Sequence, residues 1–379
     1  MTATIVGIGQ TEYSKNSGRT ELSLAAEAIL GALGDAGLRP GDVDAVIRYD
    51  WDNIDELTLG THLGFGNLRW MSQVGDGGPA GNAVIAQAKA VIEAGLAETV
   101  LCYRALNGRS GERIGQGDEG GPARGAEAFQ IPWGMVAPVT QFGQFARRHM
   151  VRYGTTSEQF GAVAVAMRRH AMQNPAAVMR KPITLEDHQN SRMIADPLRL
   201  LDCCIETDGA CAVVITTADR ARDLARRPVE IVAGAQASGP GGGAAAVFRT
   251  DLDVSEAVHC ANDLWSRAGG ITPSDVDVAM VYDHFTPFVI IALESFGLCP
   301  TGEGGRFVED GNIELGGSLP VNTHGGNHSE AYLQGLSHVI EAVRQLRGDS
   351  TAQVNGAETA LSCSATAGTS SAVLLRRSR

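Results

Sequence analysis

The feature that most limits what this chain can fold into is that part of it occurs twice. Pro40-Gly41-Asp42-Val43-Asp44 returns as Pro273-Ser274-Asp275-Val276-Asp277, and Tyr49-Asp50 returns as Tyr282-Asp283 in the same register without a gap. Further along, Gly77-Gly78 and Val91-Ile92-Glu93-Ala94 are answered by Gly325-Gly326 and Val339-Ile340-Glu341-Ala342, again at one shared offset. A repeated unit builds the same supersecondary structure twice, so the repeat outranks local propensity as a guide to fold. Local pattern identifies the unit. Residues 4–9 are a short apolar run, 22–36 place apolar residues at helical spacing, and a Gly/Pro/Asp turn leads to the buried strand Ala45-Val46-Ile47. Each half is βαβ-rich, with the first at residues 1–225, the second at 226–379 and the join near 223–228.

Residues 107–199 have no counterpart in the second half. They begin Gly-rich, between Gly115 and Gly125, and carry two helical stretches, 140–153 and 157–174. An insertion of this size on a duplicated core is expected to cover a ligand or bind a partner.

The chain has 379 residues, 44% of them hydrophobic, enough for a large core. Its 47 glycines are dispersed among apolar runs, which indicates tight turns and close crossings instead of disorder. A formal net charge of -12 argues against nucleic acid, and no run of apolar residues suggests a membrane span or a leader, so a cytoplasmic protein is expected. The seven cysteines lack CxxC spacing and indicate neither a disulfide framework nor a zinc ribbon.

Two polar constellations stand out. Asn322-Thr323-His324-Gly325-Gly326-Asn327-His328-Ser329-Glu330-Ala331-Tyr332 is a polar loop feeding a helix start, whose backbone N–H groups could meet a developing anion. Val281-Tyr282-Asp283-His284-Phe285-Thr286-Pro287 is a strand end rich in titratable groups, and strand-to-helix junctions of α/β folds bind ligands. His324 and His328 would hold a metal only from one helix, and the glycines between them oppose that; no metal site is expected. Buried aromatics with wet hydroxyls are the plainer reading of Tyr282 and Tyr332, but both end elements of a duplicated core. There is no GxSxG elbow, P-loop or GxGxxG, since Gly7-Ile8-Gly9-Gln10 lacks the third glycine. Lysine occurs only as Lys15, Lys89 and Lys181, none in an apolar run, which disfavours imine chemistry. The basic residues of the insertion, Arg147, Arg148, Arg152, Arg168, Arg169, Arg180 and Lys181, read mainly as a solvated face.

The segments Leu200-Leu201-Asp202-Cys203-Cys204-Ile205-Glu206-Thr207-Asp208-Gly209-Ala210 and Leu319-Pro320-Val321-Asn322-Thr323-His324-Gly325-Gly326, with the duplicated halves, resemble the sterol-carrier-protein thiolases and the lipid-transfer-protein branch beside them. The resemblance spans essentially the whole chain. It implies a thiolase fold, two βαβ-rich halves in five αβαβα layers, with the loop and helical insertion in the first half. A thiolase needs a nucleophilic cysteine at the head of the first-half helix, but this chain reads Asp76-Gly77-Gly78-Pro79, with Gly78 at the expected place. Tyr332 stands where thiolases have the histidine of Gly-His-Pro, and Tyr282 stands at the strand end that carries their Asn or His. Cys363 lies near the strand of the thiolases' second cysteine without a residue-by-residue match.

That exchange resembles the steroid side-chain aldolases. They imply retro-aldol cleavage of a β-hydroxyacyl-CoA to a ketone and a shorter acyl-CoA such as propionyl-CoA, with CoA part of the substrate and no separate cofactor. They also imply a small OB-fold, zinc-ribbon partner protein and a homodimeric core. The reaction needs a base, donors for a thioester enolate and an acid, none of them a cysteine. Tyr282 and Tyr332 are the expected acid/base pair, with His284 and His324 as donors or orienters and Asp283 favouring a protonated histidine. Gly78, Gly325, Gly326, His328 and Asp283 are the expected substrate-side residues. Which tyrosine is the base stays open. Two competing readings are a non-catalytic acyl-CoA or sterol binder and a condensing enzyme that uses Cys363.

Overall fold

A computed structural model describes residues 2–75, 77–111, 113, 124–239, 243–249 and 256–378. Asp76 and most of the Gly-rich start of the insertion, 114–123, lie outside them. The elements in chain order are β1 (Ala3–Gln10), α1 (Glu21–Ala36), β2 (Ala45–Tyr49), α2 (Glu56–Leu63), β3 (Trp70–Val74), α3 (Ala80–Glu93) and β4 (Thr99–Asn107). The insertion supplies α4 (Pro138–Tyr153), α5 (Ser157–Ala171), α6 (Leu185–Asn190), β5 (Met193–Ala195) and β6 (Leu198–Arg199). There follow β7 (Asp208–Thr217), α7 (Ala218–Ala221), β8 (Val229–Ala237), α8 (Ala257–Ser266), β9 (Val278–Val281), α9 (Thr286–Ser295) and α10 (Gly304–Glu309). The chain ends with α11 (Gly326–Ser329), α12 (Leu336–Arg347), β10 (Thr359–Cys363) and β11 (Ser370–Arg377).

The duplication is visible in the strand order β3-β2-β4-β7-β1-β8-β11-β10-β9. Read outward from the centre, the first half runs β1, β7, β4, β2, β3 and the second β8, β11, β10, β9, the same order with the outermost strand missing from the second. The second half completes the correspondence with a parallel bridge from Ala279 to Val321 where the first has β3. The halves meet through two antiparallel pairs, Thr4 with Glu230 and Ile5 with Val229.

The repeated residues do the same work twice. Asp42 and Asp275 each accept a backbone N–H three residues back, from Arg39 and Thr272, both at 2.8 Å, which fixes the turn before the strand. Asp44 takes the N–H of Thr99 at 2.8 Å and Asp277 that of Thr359 at 2.9 Å, so each clamps the start of a neighbouring strand.

Helices α3 and α12 lie between the two β layers and form the central core with Val84, Ile85, Ile92, Val339, Ile340 and Val343, all buried. Helix α1 covers the outer face of the first half through Leu24, Ile29 and Leu33, and α8 and α9 cover the second through Leu264, Phe288 and Ile290. These are five layers, αβαβα. Fully burying each such side chain contributes roughly 1.5–3 kcal/mol. The Gly7-x-Gly9 pair has a packing role. A Cβ on Gly7 would lie 2.1 Å from the Ala32 carbonyl oxygen and one on Gly9 2.1 Å from that of Ala28, so glycine lets α1 sit directly on β1.

Within the insertion the two long helices fall where the periodicity places them, the second ending earlier, at Ala171 instead of 174. Thr156 caps α5 by accepting the Gln159 N–H while the Gln159 side chain returns to the Thr156 N–H. No helix among the described residues is long and apolar enough to cross a membrane.

Candidate active site

Tyr282 follows β9 directly, and its N–H donates to the Cys363 carbonyl at 2.8 Å, extending the strand pairing by one residue. This aims the ring into the turn before α3. There, a Cβ built on Gly78 would lie 2.0 Å from Tyr282 Cζ and 2.5 Å from its hydroxyl oxygen. The phenol of Tyr282 therefore fills the space that any side chain at position 78 would need. Tyr332 arrives from the segment between α11 and α12, held by its N–H to the Thr207 hydroxyl at 2.9 Å. The two phenol oxygens are 2.9 Å apart. His284 stacks on Tyr282 with ring centroids 4.9 Å apart and an 18° tilt.

These groups open onto a cavity of about 1110 Å³, lined by Gly78, Tyr282, His284, His328 and Tyr332. The insertion forms the opposite wall with Val139, Gln141, Phe142, Ala164 and Arg168, so it covers the site. Phe142 meets His284 edge-on at 4.6 Å between centroids. Arg168, one of the residues read as part of a solvated face, is buried; it donates to the Ser329 hydroxyl and the Lys181 carbonyl, both at 2.8 Å. Arg147 and Arg169 do pair at the surface, with Asp196 and Glu314.

Burial dominates the electrostatics. It pushes both phenols well above their ordinary range. It drives His284 down to about 3, outweighing the attraction of Asp283. Asp283 does favour the protonated form, as expected, but burial outweighs it and the histidine beside the tyrosines is neutral. Neither ring nitrogen of His284 has a partner within the protein, nor has Nε2 of His328, so three buried polar atoms are free for a ligand or water.

Four of the expected residues stand behind the cavity wall. Asp283 accepts the N–H groups of Asn327 at 2.8 Å and His328 at 3.4 Å, and lies 3.0 Å from His338 Nε2. Its carboxylate thus caps the start of α11, which the sequence suggested for a substrate anion. Gly326 is required by this cap, since a Cβ there would lie 2.1 Å from an Asp283 oxygen, and Gly325 packs against Ala171. His324 is buried against His338, with centroids 4.8 Å apart, and lies 3.7 Å from Glu330. Cys363 is buried at the end of β10 among the outer-core residues, while Cys203 and Cys204 do line the cavity, with thiols raised by burial.

Glu330 is a further consequence of this packing. Desolvation raises its carboxyl to about 8, although Asn174 donates to it at 2.9 Å. A folded-state value above the unfolded one means the protonated form is favoured by folding. The contribution is complete below the unfolded value near 4.5 and is lost as pH rises to about 8, at roughly 1.4 kcal/mol per pH unit. Glu330→Gln is expected to flatten this decline, as read by denaturant melts at pH 5.5 and 8; an unchanged slope would remove Glu330 as its source.

Sequence reasoning overlooked Gln334, Arg104 and Tyr49. Tyr49 is the repeat mate of Tyr282, and its hydroxyl donates to the Gln334 carbonyl at 3.1 Å. The duplication could have pointed to it. Arg104, on β4, gave no local pattern. Among the described residues no group of three His, Cys, Asp or Glu side chains is placed to hold a metal ion.

Comparison with known proteins identifies the family. Residues 243–375 match the thiolase C-terminal domain-like family. The chain is 49% identical over 375 residues to the 17-hydroxy-3-oxo-4-pregnene-20-carboxyl-CoA lyase of Mycobacterium tuberculosis, covering 97% of this chain and 96% of that protein. It is 46% identical to the steroid side-chain-cleaving aldolase of Thermomonospora curvata, covering 93% and 92%. The solved structure of the Ltp2-ChsH2(DUF35) aldolase superposes with a TM-score of 0.94 at 44% identity, covering 100% of this chain and 98% of that one. The chain belongs to the thiolase-like superfamily, in its sterol-carrier-protein thiolase family and alongside the steroid side-chain-cleaving aldolases.

Proposed function

We propose that this protein catalyses retro-aldol cleavage of a steroid β-hydroxyacyl-CoA, releasing a ring ketone and propionyl-CoA. The observation that carries the reading is the phenol of Tyr282 in the space beside Gly78, 2.9 Å from the phenol of Tyr332. The position that would present a nucleophile instead presents half of an acid/base pair. In the reaction one phenolic oxygen takes the proton of the tertiary β-hydroxyl, the carbon–carbon bond breaks toward the thioester, and the electron pair becomes an enolate. A phenol then returns a proton to the α-carbon. His284, neutral and stacked on Tyr282, is placed to orient the substrate oxygen, as is His328 Nε2.

The substrate class follows from the relatives' names and from the cavity. Cleaving the side chain of a 17-hydroxy-20-carboxyl-CoA steroid between ring and α-carbon leaves a three-carbon acyl-CoA. Val139, Phe142, Ile194, Leu201 and Phe285 offer apolar walls to a ring system, and Lys15, Arg109 and Arg113 line the same cavity with positive charge suited to CoA phosphates. CoA belongs to the substrate, and no separate cofactor is needed. The two-component name of the solved aldolase supports a DUF35 protein as partner, and the family resemblance implies that this partner is a small OB-fold, zinc-ribbon protein. A second copy of the chain is expected along β3, a sheet edge that exposes Trp70 and Met71.

Incubation with a 17-hydroxy steroid acyl-CoA, with the chain alone and with that partner, tests the reading. Release of propionyl-CoA and the ketone, greatest with the partner, is expected; tight binding without product in either condition would instead favour a silent acyl-CoA binder.

A further inference from the structure

Gln334 is buried, lines the cavity two residues after Tyr332, and has a backbone φ of 50°, a left-handed conformation that a non-glycine residue adopts at a cost. The first half of the chain imposes that conformation. The Tyr49 hydroxyl holds its carbonyl at 3.1 Å, and Arg104 Nε donates to its side-chain oxygen at 2.7 Å. Arg104 is fixed in turn by the buried Asp52 carboxylate at 2.6 Å. A guanidinium only donates, so the amide oxygen must face Arg104 and the NH2 group must face the other way. That NH2 group is buried without a hydrogen-bond partner in the protein, next to Tyr332 and Gly77.

We propose that Gln334 is a positioning residue for Tyr332, its Arg104-oriented amide N–H steadying the phenolate and so making Tyr332 the base of the pair and Tyr282 its hydrogen-bond donor. The surroundings of the two phenols differ in this sense. Tyr332 is faced by Gln334 and Arg104, which favour its ionised form, and by Cys204, which opposes it. Tyr282 is faced by Cys204 and Tyr49, both of which oppose ionisation. The inference rests on the cleavage reading for its role but not for its test.

Gln334→Glu is the informative substitution. It is isosteric, keeps an acceptor for Arg104 and replaces only the donor to Tyr332 with an anion. Below the pKa of a phenolate base the rate rises about tenfold per pH unit, and a raised pKa lowers the rate at fixed pH by the same factor. In the complex with its partner, Gln334→Glu is expected to lose at least about tenfold in kcat near pH 7.5, with the pH profile displaced upward by about one unit or more and a smaller change in KM. Gln334→Met, which removes the donor without adding an anion, should show a smaller displacement in the same direction.

A second readout needs no turnover. With difluorotyrosine installed at position 332, whose fluorines bring the phenol's titration into a range the fold survives, fluorine NMR follows that residue alone. Gln334→Glu should move its titration upward. An unmoved titration, or a pH-independent loss of rate, overturns the proposal. If the wild-type complex does not cleave at all, the cleavage reading fails while the fluorine titration still decides whether Gln334 governs Tyr332.

Discussion

Gly78→Ala is expected to destabilise the protein by about 1–3 kcal/mol and to abolish cleavage, although it adds one methyl group. The methyl carbon would lie 2.0 Å from Tyr282 Cζ, far inside contact distance, and Tyr282 is held on the other side by its stack with His284. The ring must therefore leave its rotamer, and its hydroxyl must leave Tyr332. Backbone strain is not involved, because Gly78 does not have a positive φ. Combining Gly78→Ala with Tyr282→Ala should recover much of the lost stability without recovering cleavage, a non-additivity that marks direct contact. Denaturant unfolding and a product assay on the three variants check it. A Gly78→Ala protein with wild-type stability and rate would show that the ring does not need this space. By the same geometry Gly78→Cys does not recreate a thiolase, since the sulfur would compete with Tyr282 for one volume.

Tyr282→Phe and Tyr332→Phe are each expected to lower kcat by roughly a hundredfold to ten-thousandfold, the range for removal of a positioned acid or base. Both phenols are buried and in contact, so each loss also leaves the partner oxygen without its 2.9 Å neighbour. The double variant should therefore lose much less than the product of the single losses, as groups that act as a unit do. The aromatic bodies remain, so melting and complex formation should change little, and steady-state kinetics on folded complexes is the measurement. Near wild-type rates in both single variants would end the acid/base assignment.

The duplicated core was legible because the repeat lies in residues that do local work. Asp42 and Asp275 cap their turns, and Asp44 and Asp277 clamp strand starts a short way along the sheet. The tyrosine pair was legible too, since Tyr282 and Tyr332 replace polar groups at strand and loop ends. What escaped depends on which side of a residue faces inward. Asp283 and His284 are adjacent, yet one caps α11 behind the wall and the other stacks in the cavity, and no spacing rule separates them. Arg104 and Gln334 meet across the join between halves, far apart in sequence, and only packing brings them together. The neutral state of His284 was not legible either, because a neighbouring carboxylate is visible in sequence while the depth of burial that outweighs it is not.

The most direct test of the central claim is a single-turnover reaction of the assembled complex with the 17-hydroxy steroid acyl-CoA in heavy water, followed by mass spectrometry of the products and of the intact chain. A phenol that exchanges with solvent and returns one proton to the α-carbon predicts propionyl-CoA carrying one deuterium, a ring ketone in equal amount and an unmodified protein mass throughout. An acyl adduct on the chain during turnover, or propionyl-CoA without deuterium, would contradict it.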